Sequence, residues 1–242
     1  MRQPLYAAAF FSLCSLAGAV FAQPSQPAQP SWIDSDSLVL LPATAVFAIE
    51  KNGKFAVMTD TGRFIIQGTV YDVWAQKELK TLADVRHAVQ YVPLDKTHLG
   101  FGDLAPLRIG HGDKAITLFA DPACTYCKEL MQEARTGLPE GYRLDVLMLP
   151  ILTPRSASRT KELHCAEDPA AAWQATVAGD LDTPLAQKPD GACDLEVIGK
   201  RRLTAQFLGA RNVPYLIRDD GLTREGKPAE GLRAWIEARS SN

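Results

Sequence analysis

Apolar and polar positions alternate through residues 44–67, where TAVFAIE is followed by Lys51-Asn52-Gly53, then KFAVM, then Thr59-Asp60-Thr61-Gly62, then RFIIQG. Period-two runs separated by an Asn-Gly pair and a second polar turn predict a small antiparallel meander. So few strands bury little apolar surface, and a sheet of this size often completes its core against a partner subunit. The period then lengthens. Leu79, Leu82, Val85, Val89 and Val92 fall at helical spacing, with Thr81 and Asp84 placed as a capping pair and Pro93 as a stop, so a helix is predicted over 79–92. Residues 93–113 carry several Gly and Pro and read as a connector.

Beyond the connector, AITLFA at 115–120 has the continuous apolar character of a buried strand, and a helix follows carrying Leu130, Met131 and Ala134. A second strand is predicted over 143–150 (RLDVLMLP). Residues 215–218 (YLIR) and 222–224 flank Asp219-Asp220-Gly221 as a hairpin, and Leu232, Trp235 and Ile236 share one face of a final helix. The order strand, helix, strand, helices, hairpin, helix is an α/β layout without internal repeats.

Composition narrows the class. The 242 residues suffice for one large domain or two small ones, and 46% hydrophobic with 22% charged residues is ordinary for a chain that buries a core. A net charge of -2 gives no reason to expect nucleic acid or an acidic membrane surface as partner. Residues 1–22, MRQPLYAAAFFSLCSLAGAVFA, place Arg2 before an apolar run that ends Val20-Phe21-Ala22. That is the layout of a secretory signal cleaved after Ala22, too short and weakly flanked for a stable span; a buried N-terminal helix is the competing reading. Cys14 lies inside it, and bulky Leu13 disfavours lipid attachment there. Residues 23–31 (QPSQPAQPS) are expected to be a disordered leader, with structure beginning near Trp32. Four cysteines then remain, Cys124, Cys127, Cys165 and Cys193. An even number in an exported protein makes two disulfides the default and an oxidising compartment, the bacterial periplasm, the best fit.

The stretch LFADPACTYCKEL sets Cys124 and Cys127 between the strand and the helix. Zinc is disfavoured, since the other two cysteines are far apart and His87, His98, His111 and His164 are scattered without ligand spacing. A purely structural bond would close a tiny loop and restrict the unfolded chain very little. A helix N-terminus, by contrast, stabilises a thiolate through its unpaired N–H groups and dipole. Cys124 is therefore the candidate nucleophile and Cys127 the resolving thiol of a redox centre, an arrangement of thioredoxin type. Downstream, Val213-Pro214 precedes the YLIR strand, where thioredoxin-like folds carry a cis-proline facing the cysteine pair; a trans proline at a strand edge is the plainer alternative. Cys165 and Cys193 have no activating neighbours and read as a structural disulfide, worth roughly 3–4 kcal/mol by loop closure, with a second redox pair as the other option.

Together these features resemble the periplasmic DsbC/DsbG family of thiol:disulfide interchange proteins. The resemblance rests on FADPACTYCKEL, on residues 54–73 (KFAVMTDTGRFIIQGTVYDV), on CAEDPAAAWQ at Cys165, and on the tail DDGLTREGKPAEGLRAWIE. It implies a two-domain α+β and α/β fold: an N-terminal cystatin-like dimerisation domain, a linker helix, and a C-terminal thioredoxin-like domain with a helical insertion. The corresponding ranges are 1–22 signal peptide, 23–31 leader, 32–78 dimerisation domain, 79–113 linker helix and connector, and 114–242 catalytic domain. It further implies a homodimer whose cleft holds misfolded or reduced exported proteins, a membrane electron donor of the DsbD type, and no cofactor beyond the Cys124–Cys127 disulfide. Thr125, Tyr126, Val213 and Pro214 would tune that centre, and Cys165 with Cys193 matches the second disulfide of the isomerase branch. Thr125-Tyr126 is neither of the dipeptides usual in the two best-known branches, and Val213 stands where both carry Thr and the oxidase DsbA carries Val. The expectation is thus a disulfide isomerase or reductase with chaperone capacity. The alternatives are a dedicated oxidase or thiol-protecting reductase for a few clients of a secretion or conjugation apparatus, and a non-catalytic holdase.

Overall fold

The computed structural model describes residues 38–40 and 46–238. The expected signal peptide, the leader and the first residues of the N-terminal domain lie outside the described residues.

The meander forms as its pattern dictates. Strands β1 (Leu38–Leu40), β2 (Val46–Lys51), β3 (Lys54–Thr59) and β4 (Ile65–Ile66) make one antiparallel sheet in sequence order. Lys51 pairs with Lys54, so the β2–β3 loop has two residues, and both take positive φ (Asn52 53°, Gly53 70°). That is the primed turn whose twist matches a hairpin and which Asn-Gly favours. A second hairpin joins β5 (Val70–Asp72) to β6 (Lys77–Leu79), its turn tied by the Asp72 carboxylate, which accepts from Trp74 N and Ala75 N.

Helix α1 spans Leu82–Gln90 and opens on the capping box formed by Thr81 and Asp84. It is shorter than its periodicity predicts, because Leu79 pairs with Val70 in the hairpin and Tyr91 already has extended backbone before Pro93. Leu82 and Val85 bury against Ala48 and Leu79, giving this half a small core of its own. The connector is more structured than its Gly and Pro content suggests. It holds the single-turn helix α2 (Leu94–Thr97), a 3-10 turn at Phe101–Leu104 and the strand β7 (Leu107–Ile109).

β7 belongs to the main sheet, whose order is β11-β10-β8-β9-β7 with β8 (Lys114–Ala120), β9 (Tyr142–Met148), β10 (Tyr215–Ile217) and β11 (Thr223–Glu225). Only β8 and β9 run parallel, linked through helix α3 (Thr125–Gly137). Period two sorts the central strands onto two faces. Ile116, Leu118, Leu144, Val146 and Leu216 pack under α3 and the C-terminal helix α7 (Leu232–Glu237), while Phe119, Leu147, Tyr215 and Ile217 face Ala205 and Leu208. Helices α4 (Pro154–His164), α5 (Pro169–Ala178) and α6 (Glu196–Phe207) lie between β9 and β10 in sequence, and Trp173 of α5 donates its indole N–H to Arg108 O on β7. No helix among the described residues is long and apolar enough to cross a membrane.

Candidate active site

β8 ends at Ala120, and a short turn delivers the chain into α3 with Cys124 as the N-cap residue. Cys124 Sγ takes the place that a Ser or Asp oxygen usually fills, accepting the Cys127 backbone N–H at 3.1 Å. The turn is closed by Cys124 N on Asp121 O at 3.0 Å, and the helix begins with Lys128 N on Cys124 O at 3.1 Å. The first turn carries no acidic side chain, so no carboxylate within the helix start opposes its positive end when the sulfur is a thiolate. Cys124 and Cys127 are joined as a disulfide with Cα atoms 5.2 Å apart. Their exposures, 6% and 0%, leave the first sulfur as the one an incoming group can reach. Thr125 and Tyr126 stand between them, both exposed, with the Tyr126 ring open to solvent.

Across from the helix start, the Val213–Pro214 peptide is cis. Val213 is half-buried against the cluster that contains Cys124 and Cys127. The β10 ladder begins at Tyr215, so Val213 lies beyond the paired backbone. Pro214 is buried and its carbonyl accepts from Gly226 N at 2.8 Å.

A residue that the sequence reading did not single out holds the site's floor. Asp121 is 1% exposed, and its carboxylate accepts four hydrogen bonds: from Ala123 N and Ser156 Oγ at one oxygen, and from Ile151 N and Leu152 N at the other. The turn before Cys124 is thereby bound to the start of the helical insertion. The only signal in the sequence is the Asp beside Pro122 in the cysteine segment; three of its four partners are 30 and more positions away. Lys227 is a second such residue, its ammonium 2.7 Å from both Glu129 and Glu133 of α3.

Cys165 and Cys193 also form a disulfide, with Cα atoms 5.5 Å apart and a sequence separation of 28. It lies in the insertion, at the C-terminal end of α4, so the two cysteine pairs occupy separate elements. The histidines stay scattered: His87 stacks on Tyr91, and His164 sits between Asp194 O and Arg201. Among the described residues no group of three or more His, Cys, Asp and Glu side chains is arranged to hold a metal ion.

Residues 108–239 match the thioredoxin-like domain family. A probable thiol:disulfide interchange protein DsbC of Bordetella parapertussis is 24% identical over 172 residues, 71% of this chain and 57% of that protein. The chain thus spans just over half the length of that relative. The thiol:disulfide interchange protein DsbC of Escherichia coli K12 is 23% identical over 208 residues, 85% of this chain and 82% of that protein. Among solved structures, ScsC of Proteus mirabilis in a compact conformation is 18% identical, covers 64% of this chain and 82% of its own, and superposes with a TM-score of 0.49. With more than half of its length matched, from β7 to the last helix, the chain belongs to the thioredoxin-like domain family.

Proposed function

We propose that the protein is a thiol:disulfide oxidoreductase that rearranges or reduces non-native disulfides in exported proteins. The observation that carries this reading is Cys124 itself, an N-cap sulfur that is reachable from outside while its partner Cys127 is fully buried one helical turn further in. When the pair is reduced, the Cys124 thiolate attacks a substrate disulfide, forms a mixed disulfide and displaces a substrate thiolate. If that thiolate attacks another substrate disulfide, and a later substrate thiol releases Cys124, disulfides are reshuffled without net transfer of electrons. If the Cys127 thiolate attacks Cys124 Sγ instead, the substrate leaves as a dithiol and two electrons have passed to it. The pair must then be re-reduced by a dithiol donor, for which a membrane reductant of the DsbD type fits. Val213, placed beyond the paired edge of β10, has its backbone positioned to bind an extended substrate segment by strand addition.

The names of the relatives support interchange chemistry, and the signal-like 1–22 segment supports a periplasmic setting. The N-terminal sheet is the expected dimerisation domain, and chaperone capacity would come from the cleft between two arms. One observation favours a second reading, a dedicated oxidase: the apolar Val213 packs on the sulfur-containing cluster in place of a hydroxyl-bearing residue.

Refolding of a scrambled multi-disulfide substrate by catalytic amounts of mature protein in glutathione buffer tests the proposal. Recovery of native substrate that is abolished by Cys124→Ser is the expected result. Rapid oxidation of reduced substrate without reshuffling would establish the oxidase reading instead. Suppression of aggregation that survives Cys124→Ser, with no turnover in either assay, would leave only a holdase.

A further inference from the structure

Three arginines are buried among the described residues, and two of them have a carboxylate partner. Arg159 lies 2.7 Å from Glu162, and Arg218 lies 2.7 Å from Asp220. Arg201, 4% exposed, has none. Its Nε and Nη2 donate to the carbonyls of Leu104 and Ala105 at 2.8 Å each, and Nη2 also meets His164 Nδ1 at 3.3 Å. His164 does not supply a negative charge either. Its Nε2 lies 2.8 Å from Asp194 O and must carry the proton there, which leaves Nδ1 as the acceptor of a neutral ring. Burial pushes the His164 pKa down, reinforcing that state, and burial pushes Arg201 down to about 10. A guanidinium taken out of water with only neutral acceptors is a poor arrangement unless an anion completes it.

The space for one is present. Arg201 lines a cavity of about 200 Å³ between the β7–β9 edge of the sheet and the helical insertion. At about 30 Å³ per water that is room for some seven waters, too little for a folded segment or a drug-sized ligand. Leu107, Val146 and Met148 form its sheet side and Leu163 its helix side, while Lys188 stands exposed at the rim. Thr160 also lines it, 1% exposed, and its hydroxyl has no hydrogen-bond partner. A buried cation without counter-charge and an apolar wall meet in one small space, while the Thr160 hydroxyl is withdrawn from the cavity surface.

We propose that this cavity binds a short-chain monocarboxylate, with its head between Arg201 and Lys188 and its tail on Val146 and Met148. The binding involves neither cysteine pair and stands apart from the redox reading. Isothermal titration calorimetry on the full mature protein, with sodium hexanoate as probe, tests it. Hexanoate should bind, hexan-1-ol and inorganic phosphate at least about tenfold more weakly. Arg201→Met removes the buried charge, and in a variant that stays folded hexanoate affinity should fall at least about tenfold. Lys188→Ala, on the exposed rim, should weaken it a few-fold, and Cys124→Ser should not change it. A short peptide with a free C-terminal carboxylate should fail to displace hexanoate. No hexanoate heat at millimolar concentration, equal binding of the alcohol, tighter binding of phosphate, displacement by the peptide, or an unchanged affinity in a folded Arg201→Met variant would each overturn the proposal.

Discussion

At the scale of the residue, the site depends on a side chain that does no redox chemistry. Asp121 satisfies three backbone N–H groups and one hydroxyl in a place water does not reach. Asn at this position would turn an amide NH₂ toward donors on one side, leaving groups unpaired at a typical cost of 1–3 kcal/mol each. Asp121→Asn is therefore expected to lose about 2–3 kcal/mol in a urea melt, whereas Ser156→Ala, which removes one donor and leaves the carboxylate three others, should lose about 1 kcal/mol. Cys124 was legible because its chemistry is local: two sulfurs at helix spacing, after an apolar strand, define a helix N-terminus from neighbours alone. Asp121 occupies the same short stretch, yet its partners Ile151, Leu152 and Ser156 come from beyond β9, and no local pattern encodes them. The same holds for Arg201, an ordinary-looking helical arginine whose burial follows only from where α6 meets the connector.

At the scale of the element, the cap of α1 and the disulfide of the insertion respond to different stresses. Thr81 and Asp84 cap α1, and the hydrogen bond from Thr81, with others from Lys80 N and Lys77, holds the Asp84 carboxyl down at about 2. A carboxyl with a folded pKa below its unfolded value stabilises above that unfolded value and stops doing so as pH falls toward the folded one. Amide protection in α1, taken relative to the intrinsic exchange rate, should thus fall between about pH 4 and pH 2, and Asp84→Asn should remove that pH dependence while lowering protection at neutral pH. In the insertion, the Cys165–Cys193 bond spans 28 positions that include all of α5. Replacing both cysteines with Ala should lower stability by about 3–4 kcal/mol on the chain-entropy estimate, read as an earlier denaturation midpoint, without abolishing the chemistry expected of Cys124. Helix α1 also shows why boundaries were less legible than existence. The helical period starts at Leu79, but that side chain belongs to the β5–β6 hairpin, whose turn was signalled by nothing stronger than Asp72. Strand β7 was missed for a related reason: three residues with polar Arg108 in the middle carry no period, and only pairing with β9 makes them a strand.

At the scale of the whole molecule, the N-terminal half leaves Phe64, Ile65, Ile66, Tyr71 and Val73 each 48% or more exposed within ten positions of sequence. If the protein is the proposed homodimer and this face carries it, Ile66→Asp should yield a monomer in sedimentation while the chain stays folded, since the residue is outside both main cores. Toward the other end, the chain leaving α1 is fastened to the β10–β11 hairpin. Val92 N donates to Gly221 O at 2.9 Å, Thr223 Oγ1 donates to Gln90 O at 3.0 Å, and Tyr91 bridges Leu222. Gly221 has φ 88°, and a Cβ there would lie 2.1 Å from Val92 O, so only glycine allows the approach. For anyone building hybrids, this moves the seam. A splice that follows the chain's apparent parts, cutting after α1 and grafting a foreign front half onto β7, would discard the three residues that the hairpin grips. A transplantable catalytic module must begin no later than Gln90, and must keep glycine at 221 as the matching half of the joint.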